Sequence, residues 1–251
     1  MSTLVHYLRP LALRVVPSAP PECWNASSLF SPPPTGPHCF LVGWIGYSAY
    51  ADRAAMRFKG LQGVTHKHRL AWAQQMVHRE NRMPDVSLIG NLMRSTSFYA
   101  NTTIYIVAGL LAIAGALDRL VVFTEELPFA RQTSREILEA KIFLLAGIFI
   151  FAYFKFTWSI RQFNSLSILT GSAPSHLAPS EELDRHAERF GRVNSLAGDE
   201  FNRGIRAYYF GFAALGWFIH PAVFVAFTLC VLAVQWRRDF RSKTLRAMRE
   251  S

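Results

Sequence analysis

Residues 98–117 read FYANTTIYIVAGLLAIAGAL and carry no charged side chain. As a helix, twenty residues rising 1.5 Å each cover about 30 Å, the thickness of a bilayer's hydrocarbon core. The stretch therefore reads as a membrane span. Just upstream, Pro84 followed by Asp85 is a helix start, with the carboxylate at the positive end of the helix dipole. The helix is expected from Asp85 to Leu117. Within it Ala108, Ala112 and Ala116 stand four apart, a small-residue stripe of the kind that lets another helix approach closely.

Further apolar runs lie on both sides. Ile142 to Ile160 is a Phe-rich span that contains Lys155. Ala207 to Trp236 is apolar over 30 residues but broken by His220-Pro221. As one helix it would measure about 45 Å, too long without strong tilt; as a hairpin it makes two spans. Cys39 to Ala51 is shorter, about 20 Å, with Trp44 and Tyr47 suited to an interface.

Charge chooses between the alternatives. Residues 52–97 carry eight Lys/Arg against three Asp/Glu, and the tail from Arg237 carries six against two. Basic segments beside spans stay in the cytoplasm. With 52–97 inside, four spans would leave the basic tail outside, and five return it. The expected fold is an all-α, polytopic transmembrane helix bundle of five spans, with four as the alternative. Amphipathic helices are expected in its cytoplasmic loops, at Thr65–Arg82 and at Glu181–Leu196 within the loop 161–206. Residues 1–38, with Pro17, Pro20, Pro21, Pro32, Pro33, Pro34 and Pro37, read as a disordered extension, and 39–251 as a single membrane domain. The expected location is a bacterial plasma (inner) membrane, multi-pass, with the C-terminus in the cytoplasm.

Composition agrees with this reading. Of 251 residues, 51% are hydrophobic and 18% charged, whereas a soluble domain is nearer a quarter charged. The net charge of +10 is spread through loops that border apolar runs, which argues for membrane orientation and against nucleic acid as a partner. The expected partners are the bilayer and its anionic phospholipids. A transporting form of so small a bundle is expected to be a homo-oligomer. Cys23, Cys39 and Cys230 have no metal-like spacing and imply no disulfide framework. His66 and His68 would point about 200° apart on a helix. No cofactor or metal is expected. Catalysis finds little support, because nucleophile, paired intramembrane carboxylate and phosphate-loop motifs are missing.

One polar cluster stands out. Lys155 falls within a span, near its cytoplasmic end, and a charge there is costly enough to mark a functional candidate. Ser159 and Gln162 share its helical face. Asn101 and Thr102 enter the preceding span at the same depth, and Arg161, Asn202, Arg203 and Arg206 lie at the same boundary. Arginine suits bidentate contact with phosphate or carboxylate. Lys155, Arg161, Asn101, Thr102, Asn202, Arg203 and Arg206 are therefore the candidate anion- or lipid-binding residues. The structural alternatives are that Lys155 snorkels to the headgroups, or pairs with Asp199 or Glu200 across helices. Gly204, Ala207 and Gly211 have small-residue spacing, which more often serves packing. His220 before Pro221 reads as a capping or headgroup contact rather than a ligand.

Several longer strings carry a resemblance. They are HRENR at 78–82 with Asp85, STSFYANTT at 95–103, FKFTWSIRQF at 154–163, FNRGIRAYYF at 201–210 and WFIHP at 217–221. Together they resemble the DUF599 family of bacterial and plant membrane proteins, a domain of unknown function, from about Trp44 to Arg246. The resemblance implies a membrane protein and carries over no functional residue. The chain departs from the family pattern at its start, where prolines 32–37 stand in place of a longer apolar first span. Two functional classes remain: a lipid-binding or accessory membrane protein, and a carrier or channel for a small anionic solute.

Overall fold

The structure is a computed structural model that describes residues 35–57, 59–117 and 135–249. The described elements are all helices: α1 (Thr35–Met56), α2 (Gly60–Val77), α3 (Met83–Gly115), α4 (Arg135–Gly171), α5 (Ser180–Ile219), α6 (Pro221–Arg241) and α7 (Lys243–Arg249). Apart from the first turn of α1, the proline-rich segment 1–38 lies outside the described residues, as do residues 118–134 between α3 and α4.

Local chemistry sets the helix ends. Pro84 stands in the first turn of α3, where its missing N–H is one that no helix would use, and Asp85 shares that turn. Pro37 is placed the same way in α1, which runs 22 residues instead of the 13 of its apolar run. Between α5 and α6, His220 is extended (φ −160°, ψ 144°), and Pro221 opens α6. The His220 ring accepts a hydrogen bond from the Ala222 N–H at 3.1 Å, capping α6 as expected. Gly60 opens α2 at φ +71°, and a Cβ there would lie 2.9 Å from the Asp239 carbonyl oxygen. Only glycine suits both the left-handed backbone and that close approach.

Contacts give the helix directions. Phe40 meets Phe224 and Tyr47 meets Asp239, so α1 and α6 run the same way. Trp217 stacks on Phe224, with ring centroids 5.4 Å apart, while Gly216 abuts Phe224 and Phe227. The run 207–236 is therefore an antiparallel hairpin turning at His220. Helix α4 runs against α5 along nearly its whole length, from Phe149 at Gly211 to His186 at Leu169. Helix α3 flanks α4, and α2 lies on the first half of α5, with Leu70 against Gly191 and Trp72 edge-on to Phe190.

Two apolar cores result. The first joins Phe40, Leu110, Leu145, Phe149, Phe156, Phe210 and Phe224. The second joins Met76, Ile89, Phe163, Leu166, Leu183 and Phe190. Helices α3, α4 and α5 pass through both without a break. Three helical stretches, Met83–Gly115, Arg135–Gly171 and Pro221–Arg249, are long and apolar enough to cross a membrane. Their outer faces carry bare apolar side chains such as Phe98 (67% exposed) and Tyr105 (76%), as lipid-facing helices do.

Three expectations are corrected. The segment 161–206 is not a loop holding a separate helix. Helix α4 extends to Gly171, and α5 is one helix of 40 residues that includes the polar stretch 199–203. Those polar side chains stay helical because neighbouring helices supply their partners. The second helix ends at Val77, and 78–82 form the turn into α3. Finally, Ala108 and Ala112 are exposed, so none of the described helices packs on the alanine stripe there. The small residues that do admit neighbours lie on α5: Gly204 receives Phe156 and Gly211 receives Phe149.

Candidate functional site

The polar groups of α4 and α5 gather between the two cores. Antiparallel pairing sets Lys155 beside Glu200 and Ser159 beside Ala197. Ser159 donates its hydroxyl to the Ala197 carbonyl at 2.7 Å. Lys155 Nζ lies 2.9 Å from Glu200 Oε2. The other Glu200 oxygen accepts from Arg203, one turn along α5. Arg203 Nε then donates to Asp52 Oδ2 of α1 at 2.9 Å. The remaining Asp52 oxygen accepts from Arg206. The result is a row of alternating charge, Lys155–Glu200–Arg203–Asp52–Arg206, that ties α4, α5 and α1 together. A separate contact ties α1 to α6, where Tyr47 donates to Asp239 at 2.6 Å.

Burial differs along the row. The Arg206 side chain is 5% exposed, and its Nε and Nη1 have no hydrogen-bond partner among the described residues. Lys155, by contrast, is 27% exposed and opens onto a cleft. This cleft, of about 550 Å³, is lined by Phe154, Lys155, Thr157, Trp158, Arg161 and Glu200. Phe154 and Trp158 are exposed aromatics, 63% and 51%. Arg161 lies over the Trp158 ring at 5.8 Å, and Lys155 over Phe151 at 5.4 Å. The cleft thus offers two cations on an aromatic floor, with one carboxylate already engaged behind them.

Below this level, Arg69 of α2 packs its guanidinium against the Gly198 backbone beside Asp199. Burial pushes the Arg69 pKa down. Burial also pushes the Asp199 carboxyl above the usual carboxylate range, with Arg69 and Arg203 pulling the other way. Farther along, Asp85 is fully buried, and one of its oxygens accepts from Trp72 Nε1 and from Arg79, both at 2.6 Å.

The expected site residues divide. Lys155 and Arg161 share the cleft. Arg203 and Arg206 turn inward to Asp52. Asn202 is half-buried beside them and is not among the lining residues. Asn101 is exposed on α3, and Thr102 spends its hydroxyl on the Phe98 carbonyl of its own helix at 2.8 Å. Pairing of Lys155 with Glu200 was one of the structural alternatives, and it is the geometry observed. Gln162 holds a buried oxygen with no partner among the described residues. Asp52 stands 151 positions from Arg203, and no spacing rule links the two. Among the described residues no three His, Cys, Asp or Glu are grouped to hold a metal.

The family model described as "Protein of unknown function, DUF599" matches residues 37–244. The chain belongs to that family. No curated protein and no solved structure matches it.

Proposed function

We propose that this DUF599 protein crosses a bacterial plasma membrane five times and binds an anionic phospholipid headgroup in the cleft between α4 and α5. The apolar parts of α1, α3 from Phe98, α4 up to Lys155, α5 from Ala207 and α6 up to Trp236 are the spans. This arrangement is supported by charge, since with alternating helix directions the basic segments 52–97 and 237–251 share one side, as the positive-inside bias favours for the cytoplasm. Helix α5 from Ala207 to Ile219 is as short in apolar length as α1, and neither is among the three stretches long and apolar enough to cross on those grounds. Its Ala207, Phe210, Ala213 and Ala214 are all buried among neighbouring helices, so little of it meets lipid.

The observation that carries the reading is the lining of the cleft. Lys155 and Arg161 stand with Phe154 and Trp158 on one outward face of α4, at the boundary between the two cores. Aromatic rings favour the headgroup level, and cations there meet lipid phosphate. Transport is the weaker alternative. Beyond the charged row the first core is filled by aromatic rings, with Phe40, Trp44, Phe149, Phe156 and Phe210 in mutual contact or against Tyr208. The Thr103 and Tyr208 hydroxyls within it satisfy each other at 2.6 Å. A solute path would need an open polar lining there.

The test uses the full chain in phosphatidylcholine nanodiscs, with phosphatidylglycerol titrated in and bound lipid counted by native mass spectrometry. Phosphatidylglycerol should be retained by the wild type and lost from Lys155→Met and Arg161→Gln. Equal retention by all three would sink the headgroup reading. Displacement by soluble glycerol 3-phosphate would reassign the cleft to a free phosphate ester.

A further inference from the structure

We infer that Asp52, which does not line the cleft, sets the headgroup affinity of the cleft by competing with Glu200 for Arg203. The inference rests on the headgroup reading above and adds a means by which that site is regulated.

The argument follows from how the charges are shared. Glu200 is divided between Lys155 and Arg203, one on each oxygen. Asp52 is divided between Arg203 and Arg206. Arg203 is the hinge of the row, since it serves both carboxylates. A phosphate entering the cleft must draw Lys155 away from Glu200. Glu200 is 11% exposed, so water replaces the lost partner poorly. The loss is smallest when Arg203 is free to give Glu200 its full fork. Asp52 prevents this by holding Arg203 Nε at 2.9 Å. The carboxylate on α1 therefore opposes anion binding on α4 through two intervening side chains.

Linkage makes the relation reciprocal. An anion on Lys155 strengthens the Glu200–Arg203 bond and weakens Arg203–Asp52, leaving Asp52 on Arg206 alone. Headgroup occupancy is thus read out as a looser attachment of α1 to α5, while Tyr47–Asp239 still holds α1 to α6. Asp52 is a positioning residue, and what identifies it is dependence on Glu200.

The experiment repeats the phosphatidylglycerol titration on four proteins: wild type, Asp52→Asn, Glu200→Gln and the double variant. Asp52→Asn should bind more tightly, on the order of fivefold. Glu200→Gln should also tighten binding, and Asp52→Asn should add nothing to it, because Lys155 is already released. An equal gain in both backgrounds would mean a general field effect of removing a negative charge, and would overturn the inference. So would unchanged or weaker binding by Asp52→Asn. Arg206 loses its counter-ion in that variant. Should it not fold, Arg203→Gln carries the same test with the opposite sign: weaker binding alone, and no further change in the Glu200→Gln background. Failure of the headgroup reading is separate, since it appears as Lys155→Met binding as well as wild type.

Discussion

Gly204 of α5 faces the Phe156 ring of α4 so closely that a Cβ at position 204 would lie 2.5 Å from Phe156 Cε1. Phe156 is itself fully buried among Tyr99, Phe201 and Tyr208 and has nowhere to move. Gly204→Ala should therefore destabilise the bundle by about 1–3 kcal/mol through overpacking. Gly109→Ala, where nothing lies within 4 Å of the new Cβ, should not destabilise, since alanine favours the helix over glycine. Thermal unfolding of both variants in one detergent is the measurement. Equal midpoints would show that α4 and α5 are not in this register.

Asp85 anchors the second core from the start of α3. One buried oxygen takes the Trp72 indole N–H and the Arg79 guanidinium together. Trp72→Phe keeps the ring packed on Phe190 but removes one donor, which should cost about 1–3 kcal/mol. Asp85→Asn should cost at least as much, because Arg79 loses its partner. Arg79 is 43% exposed, and solvent limits that loss. Chemical denaturation followed by tryptophan fluorescence reads the asparagine variant directly, and circular dichroism reads both.

Asp199 supplies a pH dependence. Burial raises its pKa above the ordinary 3.8, so the folded state binds this proton more tightly than the unfolded chain. Its contribution is fully present below the ordinary value and is lost as pH rises through the raised one. In Asp199→Asn that loss is absent. The melting temperature of Asp199→Asn minus that of wild type should therefore fall as pH is lowered from about 7 toward about 4. A difference that stays flat across this range would show that Asp199 is not buried as described.

The hairpin at His220 predicts where the chain ends. With α5 and α6 antiparallel, a fluorescent-protein reporter fused after Ser251 should fold and fluoresce in the cytoplasm. A periplasm-dependent phosphatase at the same place should be inactive. Active phosphatase would exclude the five-span arrangement.

Much of this fold was legible in residue order, and the reasons differ by element. Helix α3 was plain because twenty uncharged residues follow a Pro-Asp start. The hairpin was legible because the basic tail favoured a return of the chain over one long helix, and a proline marked the place. The unity of α5 was not legible. Its middle, Asp199 to Arg203, reads as solvated loop, but its charges are met by Lys155 and Asp52 from other helices and by the Glu200–Arg203 pair within the helix. The candidate site divides along the same line. Lys155 and Arg161 lie less than two turns apart on α4, so nearness in sequence keeps them close. Asp52 meets its arginines only in the folded chain. Asn101 and Thr102 matched Lys155 in depth, but depth along a span says nothing about which way a side chain faces around it.

Helices α3, α4 and α5 run unbroken through both apolar cores, and this bears on how the protein can be divided. A cut between the cores would sever all three helices mid-turn, each losing the partners that keep its polar segment helical. The second core is therefore not an excisable module. It cannot be transplanted onto another membrane anchor or produced alone in folded form.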